Sequence, residues 1–134
     1  MKKIIILPAR ILFALQFLTA MDTLFGNKAV QGAAASGFPF PELTAKIAAL
    51  TALSGSVSII LGYKAKIGGL LIAAFLIPVT FSMHAYWNID EPAMRIQQSI
   101  SFYKNINAIG GAMIISYFGS GPFSIDSMLK KNRS

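Results

Sequence analysis

Residues 67–87 read IGGLLIAAFLIPVTFSMHAYW and contain no Asp, Glu, Lys or Arg. An α-helix rises 1.5 Å per residue, so about 20 mainly apolar residues cross the ~30 Å hydrocarbon core of a bilayer. Shorter apolar runs of 10–14 residues are more typical of the buried core of soluble proteins. The stretch therefore predicts a helix that spans a membrane.

Three further blocks have a similar character, at residues 4–25, 43–63 and 102–118. The block at 4–25 is interrupted by Pro8 and Arg10, and the block at 43–63 is free of charge from Ile47 onwards. We predict an all-α fold, an integral membrane four-helix bundle, with residues 1–134 as one membrane domain. Short surface helices are expected at 29–36 and at 124–129, the second capped by Ser124.

The composition supports a membrane protein and argues against nucleic acid as a partner. Hydrophobic residues make up 54% of the chain and charged residues 13%, about half the usual charged share. The net charge is +7, but the cations lie at the ends of apolar blocks, not in one basic patch. The chain has no cysteine, which excludes disulfides, thiolate catalysis and Cys-held metal clusters within it.

Four spans place both termini on the same side, and the cations predict which side. If both termini are cytoplasmic, that side holds Lys2, Lys3, Arg10, Lys64, Lys66, Lys130, Lys131 and Arg133, and the other side holds Lys28, Lys46, Arg95 and Lys104. This excess fits the positive-inside rule and predicts a multi-pass protein of the bacterial cytoplasmic (inner) membrane. Arg10 argues against a cleaved signal peptide. It is expected to snorkel to lipid phosphate.

With this orientation, all four helices bring polar groups to the outer layer. The candidate ligand-binding residues there are Asp22, Lys46, Thr80, His84, Lys104 and Asn105. Ionisable groups at membrane depth are costly and find partners, so Asp22 is predicted to pair with Lys46 or Lys104. His84 is the single histidine and titrates near neutrality when unperturbed. The alternative is structural: the same groups snorkel to the headgroups and fix the helix ends.

Two other patterns have simpler interpretations. Thr51, Gly55, Ser58 and Gly62 recur at helical spacing, and the pair Gly110-Gly111 lies in the fourth block. Small residues let membrane helices approach closely, so both are predicted to be packing faces. One histidine and scattered acids do not make a metal site, and no catalytic residue is predicted.

The order of local motifs resembles the DoxX family of small bacterial membrane proteins. The motifs are Ala9-Arg10, Phe25-Gly26, Gly37-Phe38-Pro39-Phe40-Pro41-Glu42-Leu43, Gly55 with Gly62, His84-Ala85-Tyr86-Trp87, Lys104-Asn105, Gly110-Gly111, and Gly119-Ser120-Gly121-Pro122-Phe123-Ser124-Ile125-Asp126. The chain departs from that family at Thr23, where a Lys is common, and at Ala52, where a Glu is common.

The DoxX resemblance implies a subunit of a membrane-bound, quinone-linked oxidoreductase complex. The chain itself would carry no cofactor, and quinone or a redox partner would carry the electrons. The alternative is a non-enzymatic membrane scaffold, chaperone or lipid-binding protein with a protein partner, and a homo-oligomer is compatible with either. A small transporter is a third possibility, although broken helices and midplane charges would be expected of it.

Overall fold

The computed structural model describes residues 4–132, and this part of the chain is helical without strands. The elements are α1 (Ile6–Leu15), a 3-10 helix (Gln16–Ala20), α2 (Met21–Phe25), α3 (Lys28–Ala35), α4 (Pro41–Leu61), α5 (Ala65–Met83), a 3-10 turn (Tyr86–Asn88), α6 (Pro92–Phe118) and α7 (Ile125–Lys131). The predicted all-α class is confirmed for these residues. Lys2, Lys3 and Arg133, used above for the orientation, lie outside the described residues.

The predicted number of spanning helices is not matched. Within residues 4–132, two helical segments are long and apolar enough to cross a membrane, Pro41–Leu61 and Ala65–Asn88, and a shorter apolar run covers Ile6–Ala20. The first predicted span is interrupted by the 3-10 helix at Gln16–Ala20. The first half of α6 is rich in polar residues, so the helix that contains the predicted fourth span is less apolar than a typical spanning helix.

Helix α6 begins at Pro92, ten residues before the predicted start at 102. The Glu91 carboxylate accepts hydrogen bonds from the backbone N–H groups of Ala93 and Met94, at 3.0 and 2.6 Å. Pro92 stands at the first helical position, where its missing N–H costs nothing. An acidic cap followed by proline is a helix-start signal, so the sequence contained the information that would have corrected this boundary.

The core is formed by α1, α4, α5 and α6, and it is built largely from small side chains. Helix α5 packs between α4 and α6, and Ile59 and Ile72 are fully buried between them. The Ser56 hydroxyl donates to the Ala14 carbonyl at 2.8 Å and links α4 to α1. Water exclusion does not drive association in lipid, so close packing and hydrogen bonds of this kind hold the helices together.

Arg10 is buried, with 3% of its surface exposed. Its Nη1 donates to the carbonyl of Ser120, and its Nη2 donates to the carbonyl of Phe123 at 2.9 Å. Both carbonyls belong to the loop between α6 and α7. The prediction that Arg10 snorkels to lipid phosphate is therefore wrong, because the loop covers the side chain and accepts its hydrogen bonds.

Asp126 ties the same loop to the turn between α4 and α5. Its carboxylate accepts from the Lys64 backbone N–H at 3.1 and 3.0 Å and from the Ser120 hydroxyl at 3.0 Å. Its own N–H donates to the Gly62 carbonyl at 3.1 Å. Gly62 has a left-handed backbone (φ 65°), and a Cβ there would collide with Arg10 and Ser124. The start of α7 is thus held against the end of α4.

Candidate functional site

An apolar recess between α3, α4 and α5 lies at the end of the α4–α5 pair that is opposite the Gly62 turn. We call it the cleft. Its volume is about 520 Å³, within the range of pockets that hold small ligands. The wall comes from the first half of α4 and the second half of α5, and α3 with Phe38 closes the end. These helices are antiparallel, so those two portions lie at the same depth.

Alanine dominates the wall of the cleft and leaves the space open. Ala45, Ala48 and Ala49 face it from α4, and Ala29 and Ala33 face it from α3. A methyl side chain fills too little volume to bridge the gap between neighbouring helices. The larger apolar residues of the wall come mainly from α5 and are Phe75, Pro78, Val79 and Met83.

Pro78 leaves a backbone carbonyl of α5 without its usual hydrogen-bond donor at this apolar wall. Helix α5 continues through Pro78, which has no N–H to donate to the carbonyl of Ala74 four residues earlier. Both residues line the cleft. The wall therefore contains a backbone acceptor without its usual helical donor.

His84 lies at the end of α5 on the cleft wall, and a partner from α6 fixes its orientation. Its Nδ1 donates to Gln98 Oε1 at 2.7 Å. With the proton on Nδ1, a neutral imidazole keeps Nε2 as a hydrogen-bond acceptor. Among the described lining residues His84 is the titratable one, and Thr44 and Thr51 are the other polar side chains. Gln98 was missed because the predicted loop at 88–101 concealed the start of α6.

Of the six predicted site residues, His84 lies on the cleft wall. Thr80 is fully buried, and its hydroxyl donates to the Leu76 carbonyl at 2.6 Å. Asn105 is buried on α6, whereas Lys104 beside it is exposed. The structure thus distributes these polar side chains over several surfaces and does not gather them around one space.

The predicted ion pair of Asp22 with Lys46 or Lys104 is wrong. Lys46 Nζ lies 2.6 Å from Glu42 Oε1, one turn away on α4, and both side chains are exposed. A partner four residues away on the same helix is reached with little loss of side-chain freedom, and it takes precedence over one on α2. Asp22 is exposed on α2. In the described part of the chain, no group of three His, Asp or Glu side chains is arranged to hold a metal ion.

Comparison with known proteins identifies the family. The model of the SURF4 family matches residues 1–132. The inner membrane protein YphA of Escherichia coli is 27% identical over 127 residues, which cover 93% of this chain and 90% of YphA. The inner membrane protein YqjF of the same bacterium is also 27% identical, over 94% of this chain and 92% of YqjF. No solved structure matches the chain.

Relatives from eukaryotes are longer than this chain. The Surfeit locus protein 4 homolog of Drosophila melanogaster is 32% identical over 76 residues, or 56% of this chain and 28% of that protein. The ER-derived vesicles protein ERV29 of Saccharomyces cerevisiae is 26% identical over 76 residues, or 57% of this chain and 24% of that protein. The matched segment thus spans about a quarter of these relatives.

These findings overturn the resemblance to DoxX. The predicted oxidoreductase subunit and its quinone rested on that resemblance alone, and both are withdrawn with it. The short motifs that suggested it, chiefly glycines, prolines and helix-end aromatics, are features that many small membrane proteins share. The matched family consists of membrane proteins, and a membrane protein contacts lipid. Because the family model covers nearly every residue, this chain belongs to the SURF4 family.

Proposed function

We propose that this protein is a non-enzymatic, lipid-binding protein of the bacterial cytoplasmic membrane, and that the cleft holds a lipid acyl chain. The observation that carries the proposal is the apolar, alanine-lined cleft with a single histidine at its end. General acid–base catalysis usually needs a positioned titratable group close to a second reactive group. His84 lies next to a neutral amide, Gln98, which suits binding better than catalysis.

The size of the cleft favours a chain over a helix as the occupant. A helix with its side chains is 10–12 Å wide and advances 5.4 Å per turn, so it fills roughly 400–600 Å³ per turn. A cleft of about 520 Å³ would hold about one turn of a partner helix. A methylene chain is far thinner and fits along the alanine wall.

The cleft would select one kind of lipid over others by its shape and by the polar groups at its end. An acyl chain that moves from bilayer to protein leaves one apolar medium for another, so transfer itself contributes little. His84 Nε2 and the Ala74 carbonyl, which lacks its usual helical donor, offer acceptors for hydroxyl or amine groups of the lipid. We therefore place the polar part of the lipid at His84 and its chain towards Thr51 and Phe75.

The proposed topology has four crossings in a single membrane domain with both termini in the cytoplasm. Helices α4 and α5 supply two crossings. The segment from Ile6 to Phe25, in which a 3-10 helix joins α1 to α2, and the second half of α6 would supply the others. The charge distribution supports this orientation. Lys64 lies in the turn between α4 and α5 and Lys66 at the start of α5, on the proposed cytoplasmic side, whereas Asp90 and Glu91 precede α6 on the other side.

Substitution of Ala48 by tryptophan is expected to close the cleft. Ala48 is half-buried on its wall, so the indole would occupy the space of the chain. The probe is phosphatidylethanolamine with a photoactivatable diazirine on one acyl chain. We expect cross-links to the peptides that contain residues 44–51 and 74–84, and about a tenfold loss of this labelling in Ala48→Trp because an overfilled wall excludes the chain.

Leu50→Trp is the matched control. It lies on the same helix, is exposed and does not line the cleft, so its labelling should equal that of the parent. Labelling spread evenly over all lipid-facing helices, or equal labelling of both variants, would mean that the cleft holds only ordinary boundary lipid.

A further inference from the structure

A second recess lies at the opposite end of the bundle, where the α4–α5 turn, the α6–α7 loop and α7 meet. We call it the basic recess. Its volume is about 770 Å³, and its charged lining residues are Lys64, Lys66, Lys130 and Asp126. The cleft is formed by other parts of the chain, so the two spaces are separate.

The recess has a fixed shape because the Asp126 network holds its sides together. The carboxylate already accepts from two donors, the Lys64 backbone and the Ser120 hydroxyl. These donors are neutral, so Asp126 keeps its charge and offsets one of the three lysine charges in the recess. The aliphatic part of the Lys66 side chain packs against the backbone of Gly119, and this contact holds the side chain along the recess.

The three lysines leave an unbalanced positive charge. Within residues 4–132, none of their ammonium groups forms an ion pair. Lys64 Nζ lies 5.5 Å from the centre of the Tyr63 ring, a contact that leaves its charge in place. An anion that entered the recess would meet three lysine cations and one carboxylate, a lining in which positive charge is in excess.

The rest of the lining is apolar, and this decides the kind of anion. Ile67, Phe118 and Leu129 line the recess and are exposed, Phe118 by 75%. A soluble anion would leave this surface unused, whereas an anionic phospholipid would cover it with its glycerol and first methylenes. Basic recesses between membrane helices on the cytoplasmic side are suited to anionic headgroups.

We propose that the basic recess binds the phosphate headgroup of an anionic phospholipid of the cytoplasmic leaflet, with Lys64, Lys66 and Lys130 as its ligands. The inference uses the orientation proposed above but not the acyl-chain cleft. It adds a second lipid site that would anchor α7 to the membrane surface.

The test titrates the full-length protein in detergent with phosphatidylglycerol or phosphatidylcholine and counts bound lipids by native mass spectrometry. We expect phosphatidylglycerol to bind about tenfold more tightly, and Lys66→Gln/Lys130→Gln to weaken its binding about 25-fold, because each lysine near the surface contributes about fivefold. The control Lys28→Gln/Arg95→Gln removes the same charge at the other end of the protein and should change affinity by less than about twofold.

Equal losses in both double variants would show general charge attraction and overturn the proposal, as would no loss in either. Competition by glycerol 3-phosphate at the affinity of the lipid would instead identify a site for soluble anions. If the double variant does not fold by circular dichroism, Lys66→Gln alone is expected to weaken binding about fivefold. Ala48→Trp should lower the binding of both lipids equally and leave the preference for phosphatidylglycerol over phosphatidylcholine unchanged, so failure here is distinguishable from failure of the cleft proposal.

Discussion

Replacement of Arg10 by leucine is expected to lower the free energy of unfolding by about 3 kcal/mol. The guanidinium donates to the carbonyls of Ser120 and Phe123 from a buried position. Removal of the donor leaves the carbonyl of buried Ser120 and the part-buried carbonyl of Phe123 without this donor, and an unpaired buried acceptor costs about 1–3 kcal/mol. Arg10→Lys keeps the charge but lacks the planar fork, so a smaller loss of about 1–2 kcal/mol is expected.

The measurement is reversible unfolding of the purified protein in mixed micelles, followed by circular dichroism. Arg95→Leu is the control, because Arg95 is exposed on α6 and its loss should change stability by less than about 0.5 kcal/mol. If Arg10→Leu is as stable as the parent, the loop between α6 and α7 does not depend on this side chain and the described network is not a stabilising feature.

Substitution of Gly69 by valine is the second large effect, with an expected loss of about 3 kcal/mol. A Cβ on Gly69 would lie 2.6 Å from the Ala112 carbonyl oxygen and 2.8 Å from the Ser116 nitrogen. Both are backbone atoms of α6, so they cannot relieve the clash by a change of rotamer as a side chain could. The two helices would have to separate along their contact.

Substitution of Gly69 and of Gly110 by alanine is expected to change the free energy of unfolding in opposite directions. Gly69→Ala introduces the same clash and should cost about 2 kcal/mol. Gly110→Ala places its Cβ where no atom lies within 4 Å, and it should be neutral or stabilise by up to about 1 kcal/mol because alanine favours helix. Equal effects at both positions, measured by the same unfolding, would contradict the close approach of α5 and α6.

The contrast between these glycines shows what the sequence can and cannot predict about packing. Gly55 was correctly predicted to lie on a packing face, and a Cβ there would lie 2.9 Å from the Gly68 carbonyl. Gly110 was predicted to do the same, but it is exposed. Periodicity identifies which residues share a face of a helix. It does not reveal which face meets another helix when lipid and protein core are equally apolar.

Local signals predicted the helical class and several helix ends. Ser124 was predicted to cap a short helix, and it caps α7 through a reciprocal pair of hydrogen bonds with Ser127, while Gly62 ends α4 with a left-handed backbone. The burial of Arg10 was not predictable, because its partners are carbonyls about 110 residues away. Every residue carries a backbone carbonyl, so residue identities do not show which carbonyls will accept from Arg10.

The candidate site shows the same limit. The sequence placed His84 at the outer end of its helix, and the structure places it on the cleft wall beside Gln98. The cleft itself is a space left by alanines, and in a sequence these residues are indistinguishable from ordinary helix formers. Its shape depends on how α3 lies across the ends of α4 and α5, which requires contacts between distant parts of the chain.

Both proposed lipid sites require that the chain crosses the bilayer four times, and cysteine accessibility tests this topology. The natural chain has no cysteine, so single cysteines at Asn27, Lys64, Asp90 and Leu129 report without background. In spheroplasts, a membrane-impermeant maleimide is predicted to label Asn27→Cys and Asp90→Cys at once, and Lys64→Cys and Leu129→Cys only after the membrane is opened. Labelling of Lys64→Cys or Leu129→Cys in sealed spheroplasts would contradict the proposed topology and, with it, the placement of both lipid sites.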